Sequence, residues 1–98
     1  MDRSVERWRS FTLSEQMLNI GNEVKRAVRF DNQPVRKNAF LDNAIVYTKK
    51  TMEDPKNQKV MPELQIGLAV LEDYKGAHQL DVSGEQLVQY YMQFANFL

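Results

Sequence analysis

At 98 residues the chain has the size of one ordinary domain and is too short for two that each bury a core. Hydrophobic residues make up 43% and charged residues 27%, a globular balance that argues against wholesale disorder. Thirteen basic and thirteen acidic side chains cancel to a net charge of zero, without the basic excess of a dedicated polyanion binder.

The absence of cysteine excludes disulfides, thiol catalysis and thiolate-bound metals, so stability has to come from a hydrophobic core. The opening MDRSVERWRS is charged and holds no apolar run of signal-peptide length. Nor does any stretch approach the ~20 apolar residues of a membrane span. The expectation is a cytoplasmic protein with no membrane partner.

Residues 1–10 are polar and basic, with Trp8 the only large apolar group before Phe11, and read as a flexible or weakly ordered arm or short helical turn pinned by Trp8. The domain proper is expected over 11–98. Its first helix, 13–30, opens on a capping box at Thr12-Leu13-Ser14-Glu15, in which the threonine oxygen and the glutamate carboxylate each accept from the other's backbone amide. Leu13, Met17, Ile20, Val24 and Ala27 then recur at helical spacing.

The turn-prone Asp31-Asn32-Gln33-Pro34 separates this helix from a second over 35–53, where proline is tolerated in the first turn. Phe40, Leu41, Ala44, Ile45, Tyr47, Thr48 and Met52 give the second helix a face broad enough to touch more than one neighbour. Asp54-Pro55 ends it, because the residue before proline is pushed out of the helical region.

After a polar link at Lys56–Lys59, a third helix over 58–75 offers Val60, Leu64, Leu68 and Leu71, flanked by Ile66 and Val70, and stops at Gly76. Ser83-Gly84-Glu85-Gln86 forms a second capping box for a fourth helix over 84–97, which buries Leu87, Tyr91, Phe94 and Leu98. No alternating apolar–polar run suggests a strand. Helices of this length on short links favour antiparallel neighbours, so the fold class is all-α: a compact antiparallel bundle of about four helices.

Catalytic and metal-binding patterns are missing. His78 is the single histidine and falls in the loop before the fourth helix, with no second ligand at metal spacing. Ser10, Ser14 and Ser83 read as arm or cap residues, and the scattered glycines supply no phosphate-cradling loop. No metal or other cofactor is expected, and no enzymatic activity. Gly21 and Gly67 sit inside helices, where glycine costs ~1 kcal/mol against alanine, which points to close helix approach.

Three polar or aromatic groupings remain. At about 100° per residue, Glu15, Asn19, Glu23 and Arg26 fall within about 80° of one another, bordering the apolar stripe as a polar groove to which Asp73 and Tyr74 could add from the third helix. Lys25, Arg29, Arg36 and Lys37 bracket the first turn as a basic end. Tyr90 and Phe97 lie off the apolar stripe of the fourth helix, on a side suited to an oligomer interface. Charge is also uneven: residues 1–59 carry twelve bases against eight acids and residues 60–98 one base against five, as if the halves pack side by side.

The stretch Leu13-Ser14-Glu15-Gln16-Met17-Leu18-Asn19-Ile20-Gly21-Asn22-Glu23-Val24-Lys25-Arg26-Ala27 resembles, as L-x-E-Q-x-x-N-I-G-x-E-V-x-R-A, a family of short all-helical bacterial proteins without an assigned activity. Asp54-Pro55, Leu71-Glu72-Asp73-Tyr74 and Tyr90-Tyr91-Met92-Gln93-Phe94-Ala95 echo it more weakly. The chain departs from the pattern after the first helix, where Phe30 stands in place of a tryptophan, and in the third helix, which lacks the arginines of the pattern. The resemblance implies a helical bacterial protein and draws attention to Asn19, Glu23 and Arg26; it supplies no function. The expectation is a non-enzymatic protein-interaction or assembly module, a homodimer through helix four, with an unidentified protein partner. A nucleic-acid-associated protein using the basic end is the alternative, and a small-ligand binder or enzyme using the polar groove comes third.

Overall fold

The computed structural model describes residues 3–97, with side chains for residues 5–94, and among these it holds five α-helices, one 3-10 helix and no strand. In chain order they are α1 (Arg3–Ser10), α2 (Leu13–Arg29), α3 (Pro34–Glu53), the 3-10 helix (Pro55–Val60), α4 (Met61–Lys75) and α5 (Gly84–Phe97). The fold is all-α. The four expected helices are α2 to α5, with two differences in the segments beside them. Residues 3–10, expected as a loose arm or turn, form α1. Residues 55–60, expected as a link running into helix three, form the 3-10 helix, so α4 begins at Met61.

Local chemistry sets the boundaries. At the start of α2, Thr12 Oγ1 accepts from Glu15 N at 3.1 Å and Glu15 Oε1 accepts from Thr12 N at 2.9 Å. Ser83 and Gln86 repeat the arrangement before α5, at 3.1 and 2.9 Å. Asp54 ends α3 with extended backbone, as its place before Pro55 requires, and its side chain caps the 3-10 helix through Lys56 N at 3.2 Å.

Contacts between helix ends give the directions. Phe30, just after α2, stacks on Phe40 early in α3, with ring centroids 5.6 Å apart. Lys37 in the first turn of α3 sits over the ring of Tyr74 near the end of α4, 4.8 Å from its centroid. Gly84 at the start of α5 lies against the Tyr74 hydroxyl from the last turn of α4, and Tyr90, halfway along α5, donates to Glu63 O in the first turn of α4. Each helix from α2 to α5 is therefore antiparallel to the next, and α2 packs along its length against both α3 and α5.

One spacing runs through the bundle. The buried seam is Met17, Ile20, Val24 and Ala27 in α2, which also buries Gln16, Gly21 and Glu23 beside it; Leu41, Ala44, Thr48 and Thr51 in α3; Leu64, Gly67, Leu71 and Tyr74 in α4; and Leu87 and Tyr91 in α5. Steps of three and four keep one seam of each helix facing the axis, as in coiled-coil packing. In α4 this seam differs from the expected face: Gly67 and Tyr74 complete it, Leu68 is only partly buried, and Ile66 is 53% exposed. The cause is Tyr91, whose ring fills the space that the side-chain-free Gly67 leaves, with its hydroxyl 2.9 Å from where a Cβ would stand. Leu98 lies outside the described residues.

Candidate functional site

α1 crosses onto the bundle at the end where α2 begins and α3 finishes, and one side chain anchors it. Trp8 is buried, stacks on Tyr47 of α3 at 4.8 Å between centroids, meets Phe11 edge-on at 5.8 Å, and donates from Nε1 to Thr51 Oγ1 at 3.0 Å. Beneath it lies a buried polar knot. Gln16 of α2, wholly inaccessible, donates through Nε2 to Trp8 O at 2.9 Å and to Asp54 Oδ2 at 3.0 Å. Asn57 of the 3-10 helix donates to Gln16 Oε1 and to Thr51 O, each at 2.9 Å. Lys56 is ion-paired with Asp54 and donates to Arg9 O at 3.1 Å. Burial alone would raise the pKa of Asp54, but the hydrogen bonds from Lys56 and Gln16 outweigh it and hold the carboxyl below its usual range.

This docking leaves a cleft of about 350 Å³ between α1, α2 and α3, at the lower end of the range for small-ligand pockets. Trp8, Phe11 and Tyr47 supply aromatic wall, Arg7 and Lys50 supply cations, and Asn19 and Glu23 supply the polar side of α2. Asn19 gives its amide Nδ2 to Glu15 O at 2.8 Å, which leaves Oδ1 as an acceptor. Glu23 is 8% exposed, and its Oε1 accepts from Arg26 Nη1 at 2.7 Å. The other carboxylate oxygen, Oε2, is buried and has no hydrogen-bond partner. Such an atom loses its hydration without compensation; among the described side chains Asn57 Oδ1, in the knot beneath α1, is the other buried polar atom without a partner, and it does not line the cleft.

The expected polar groove is thus divided. Asn19 and Glu23 line the cleft; Glu15 serves the α2 cap, and Arg26 is half-exposed, holding Glu23. Asp73 and Tyr74 do not line it. The Asp73 carboxylate accepts from Gln79 N and Leu80 N at 2.8 and 3.1 Å, ordering the loop in which His78 and Asp81 have φ of 54°. Tyr74 packs beside His78 and under the Lys37 ammonium, 4.8 Å from its ring centroid.

Of the four residues of the basic end, Lys37 and Arg36 are engaged within the chain. Lys37 pairs with Asp31 at 2.6 Å, which lowers the Asp31 pKa and raises that of Lys37 through their shared hydrogen bond. Arg36 lies 5.2 Å over the Phe30 ring. Lys25 borders a shallow depression with Val28 and Glu85 between α2 and α5, and Arg29 is exposed. On α5, Tyr90 is half-buried: it bonds Glu63 O at 3.0 Å and packs against Tyr91 and Phe94. Part of the Tyr90 ring, expected at an oligomer interface, is thus packed within the chain and part stays exposed; the Phe97 side chain lies outside the described residues.

Arg7 and Lys50 belong to the cleft although no sequence pattern singled them out, and Trp8 and Tyr47, expected as packing residues, line it as well. The buried pair Gln16 and Glu23 did leave a signal. With Ile20 and Ala27 they fall at steps of four, three and four, so polar residues interrupt a helix face the chain buries. Among the described residues no group of three or more acidic or imidazole side chains could hold a metal ion, and no helix is long and apolar enough to cross a membrane.

Compared with protein-family models, curated proteins and solved structures, the chain matches none of them.

Proposed function

We propose that the protein is a non-enzymatic binding module whose ligand enters the cleft between α1, α2 and α3. The observation that carries this reading is the Glu23 carboxylate: buried beside three aromatic rings and two cations, it keeps one oxygen without a donor. A group that weakens the fold yet sits in a cavity wall is accounted for when a ligand supplies the missing hydrogen bond. No nucleophile and base lie paired in the cleft, so binding describes it better than turnover.

A stability measurement tests whether Glu23 serves the fold or the cleft. In Glu23→Met the unpaired oxygen disappears while straight-chain helix propensity and side-chain length are kept. Removing an unsatisfied buried group returns roughly 1–3 kcal/mol. The lost pair with Arg26, whose side chain is 51% exposed, offsets at most about 1 kcal/mol of that. The variant should melt several degrees above the wild type by circular dichroism. An unchanged or lower melting temperature makes Glu23 a structural residue and ends this reading.

A further inference from the structure

We infer that the cleft takes a small zwitterion, an α-amino acid with an apolar or aromatic side chain, its ammonium on Glu23 and Asn19 and its carboxylate toward Arg7 and Lys50. The inference rests on the binding-module reading and adds the chemistry of the ligand.

The two polar sides of the cleft ask for opposite partners. On α2 the cleft meets acceptors: the Glu23 carboxylate, whose buried Oε2 lacks any donor, and Asn19 Oδ1, whose amide nitrogen is engaged with Glu15 O. Acceptors paired in this way recognise an ammonium, which carries three donors and no acceptor. Oε2 is shut from solvent, so an ammonium reaches the carboxylate through a partial turn about its terminal torsion, which is broad, with the Arg26 bond loosened in exchange. Lys50 of α3 and Arg7 of α1 bring two cations to the same cavity, matched to a carboxylate.

Simpler ligands fit less well. A plain anion satisfies Arg7 and Lys50 and leaves Oε2 without a donor beside a second negative charge. A plain amine satisfies Glu23 and meets two uncompensated cations. A neutral apolar molecule uses the aromatic wall alone and leaves the Glu23 carboxylate without its donor. The zwitterion answers both sides at once, and about 350 Å³ bounded partly by Trp8 and Tyr47 leaves room for its side chain against the rings.

Trp8 is the only tryptophan of the chain and forms part of the wall, so its selectively excited emission reports on occupancy. L-leucine and L-phenylalanine, titrated into the full chain and followed by Trp8 fluorescence and by calorimetry, should bind saturably with one site. Acetylating the amine of phenylalanine, or amidating its carboxyl, should each weaken binding by about tenfold or more, the usual worth of one hydrogen bond to a charged group. Glu23→Gln should cause a similar loss with its cooperative melt preserved, and Lys50→Gln should reduce affinity for phenylalanine more than for phenylalaninamide.

Equal binding of the blocked and free forms overturns the inference, as does no binding of either amino acid up to ~10 mM, beyond the weakest affinity a specific small-ligand site usefully has. In both cases a raised melting temperature in Glu23→Met keeps the binding-module reading and discards only the zwitterion. A lowered one discards both.

Discussion

Gly67 and Gly21 occupy helix interiors that face α5, and they differ in what an added methyl would strike. At Gly67 a Cβ would stand 2.9 Å from the Tyr91 hydroxyl, which is fully buried and shares a 3.3 Å hydrogen bond with Thr48. Nothing there yields cheaply. Gly67→Ala should lose about 1–3 kcal/mol to overpacking, a fall in melting temperature of roughly 4–8 °C per kcal/mol for a domain this small. At Gly21 the near atom is Met92 Cε, at 2.7 Å, the far end of a flexible side chain. Once Met92 swings aside, Gly21→Ala keeps the ~1 kcal/mol advantage of alanine in a helix. Its melt should match or exceed the wild type. The reverse order for the two variants would contradict the packing of α5 described above.

At the scale of elements, α1 is the piece whose attachment depends on few contacts. Gln16 is the hub: it touches the backbone of α1 at Trp8, the residue that ends α3 at Asp54, and the 3-10 helix at Asn57. Leucine at position 16 keeps the volume and removes all three bonds, leaving Asn57 Nδ2 with Thr51 O alone and Asp54 Oδ2 with Lys56 alone. Unpaired buried groups of this kind cost roughly 1–3 kcal/mol. Gln16→Leu should therefore lower the urea midpoint and, more specifically, speed hydrogen exchange in α1 while the amides of α4 change little. Uniform loss of protection across the chain would mean that α1 is not a separately attached element.

The same contrast explains what was legible in the amino-acid sequence. α2 and α5 were readable because Thr12–Glu15 and Ser83–Gln86 cap within four residues and because their buried seams repeat at helical period. α1 and the 3-10 helix were not, since Trp8 meets its Thr51 partner across 43 positions and Gln16 meets Asp54 across 38. Position 67 shows a subtler limit. Hydrophobicity favoured Leu68 for the seam of α4, whereas fit to Tyr91 selected the residue with no side chain. Half of the α2 groove, Asn19 and Glu23, was visible on its helix face; Arg7, Tyr47 and Lys50 join it only through the crossing of α1 over α3.

For the molecule as a whole, the uneven charge of the two halves is not cancelled by ion pairs between them. Among the described pairs, Glu23–Arg26, Asp31–Lys37 and Asp54–Lys56 each lie within residues 1–59, and Lys75–Asp42 crosses with its base drawn from the acidic half. Stability then answers to pH through a few individual groups. Asp54 and Asp31 have folded pKa values held below their ordinary 3.8. Their contribution is present above that value and is lost as pH falls through the lower folded one. Tyr91 and Tyr90, both raised above the ordinary 10.0 by burial, and Lys37, raised above 10.5 by its bond to Asp31, act at the other limit. Each holds its proton longer in the folded chain, so stability declines as pH climbs past the unfolded values toward the folded ones. Denaturant melts against pH should show a plateau bounded near pH 4 and pH 10. Asp54→Asn, which forfeits the ion pair with Lys56, should be less stable at neutral pH yet converge on the wild type in acid. Tyr91→Phe retains the buried ring and removes the titrating hydroxyl, and should flatten the alkaline limb. Parallel curves for Asp54→Asn and the wild type below pH 4 would show that the knot beneath α1 does not depend on the Asp54 charge, and would shift the acid limb onto Asp31 and the turn between α2 and α3.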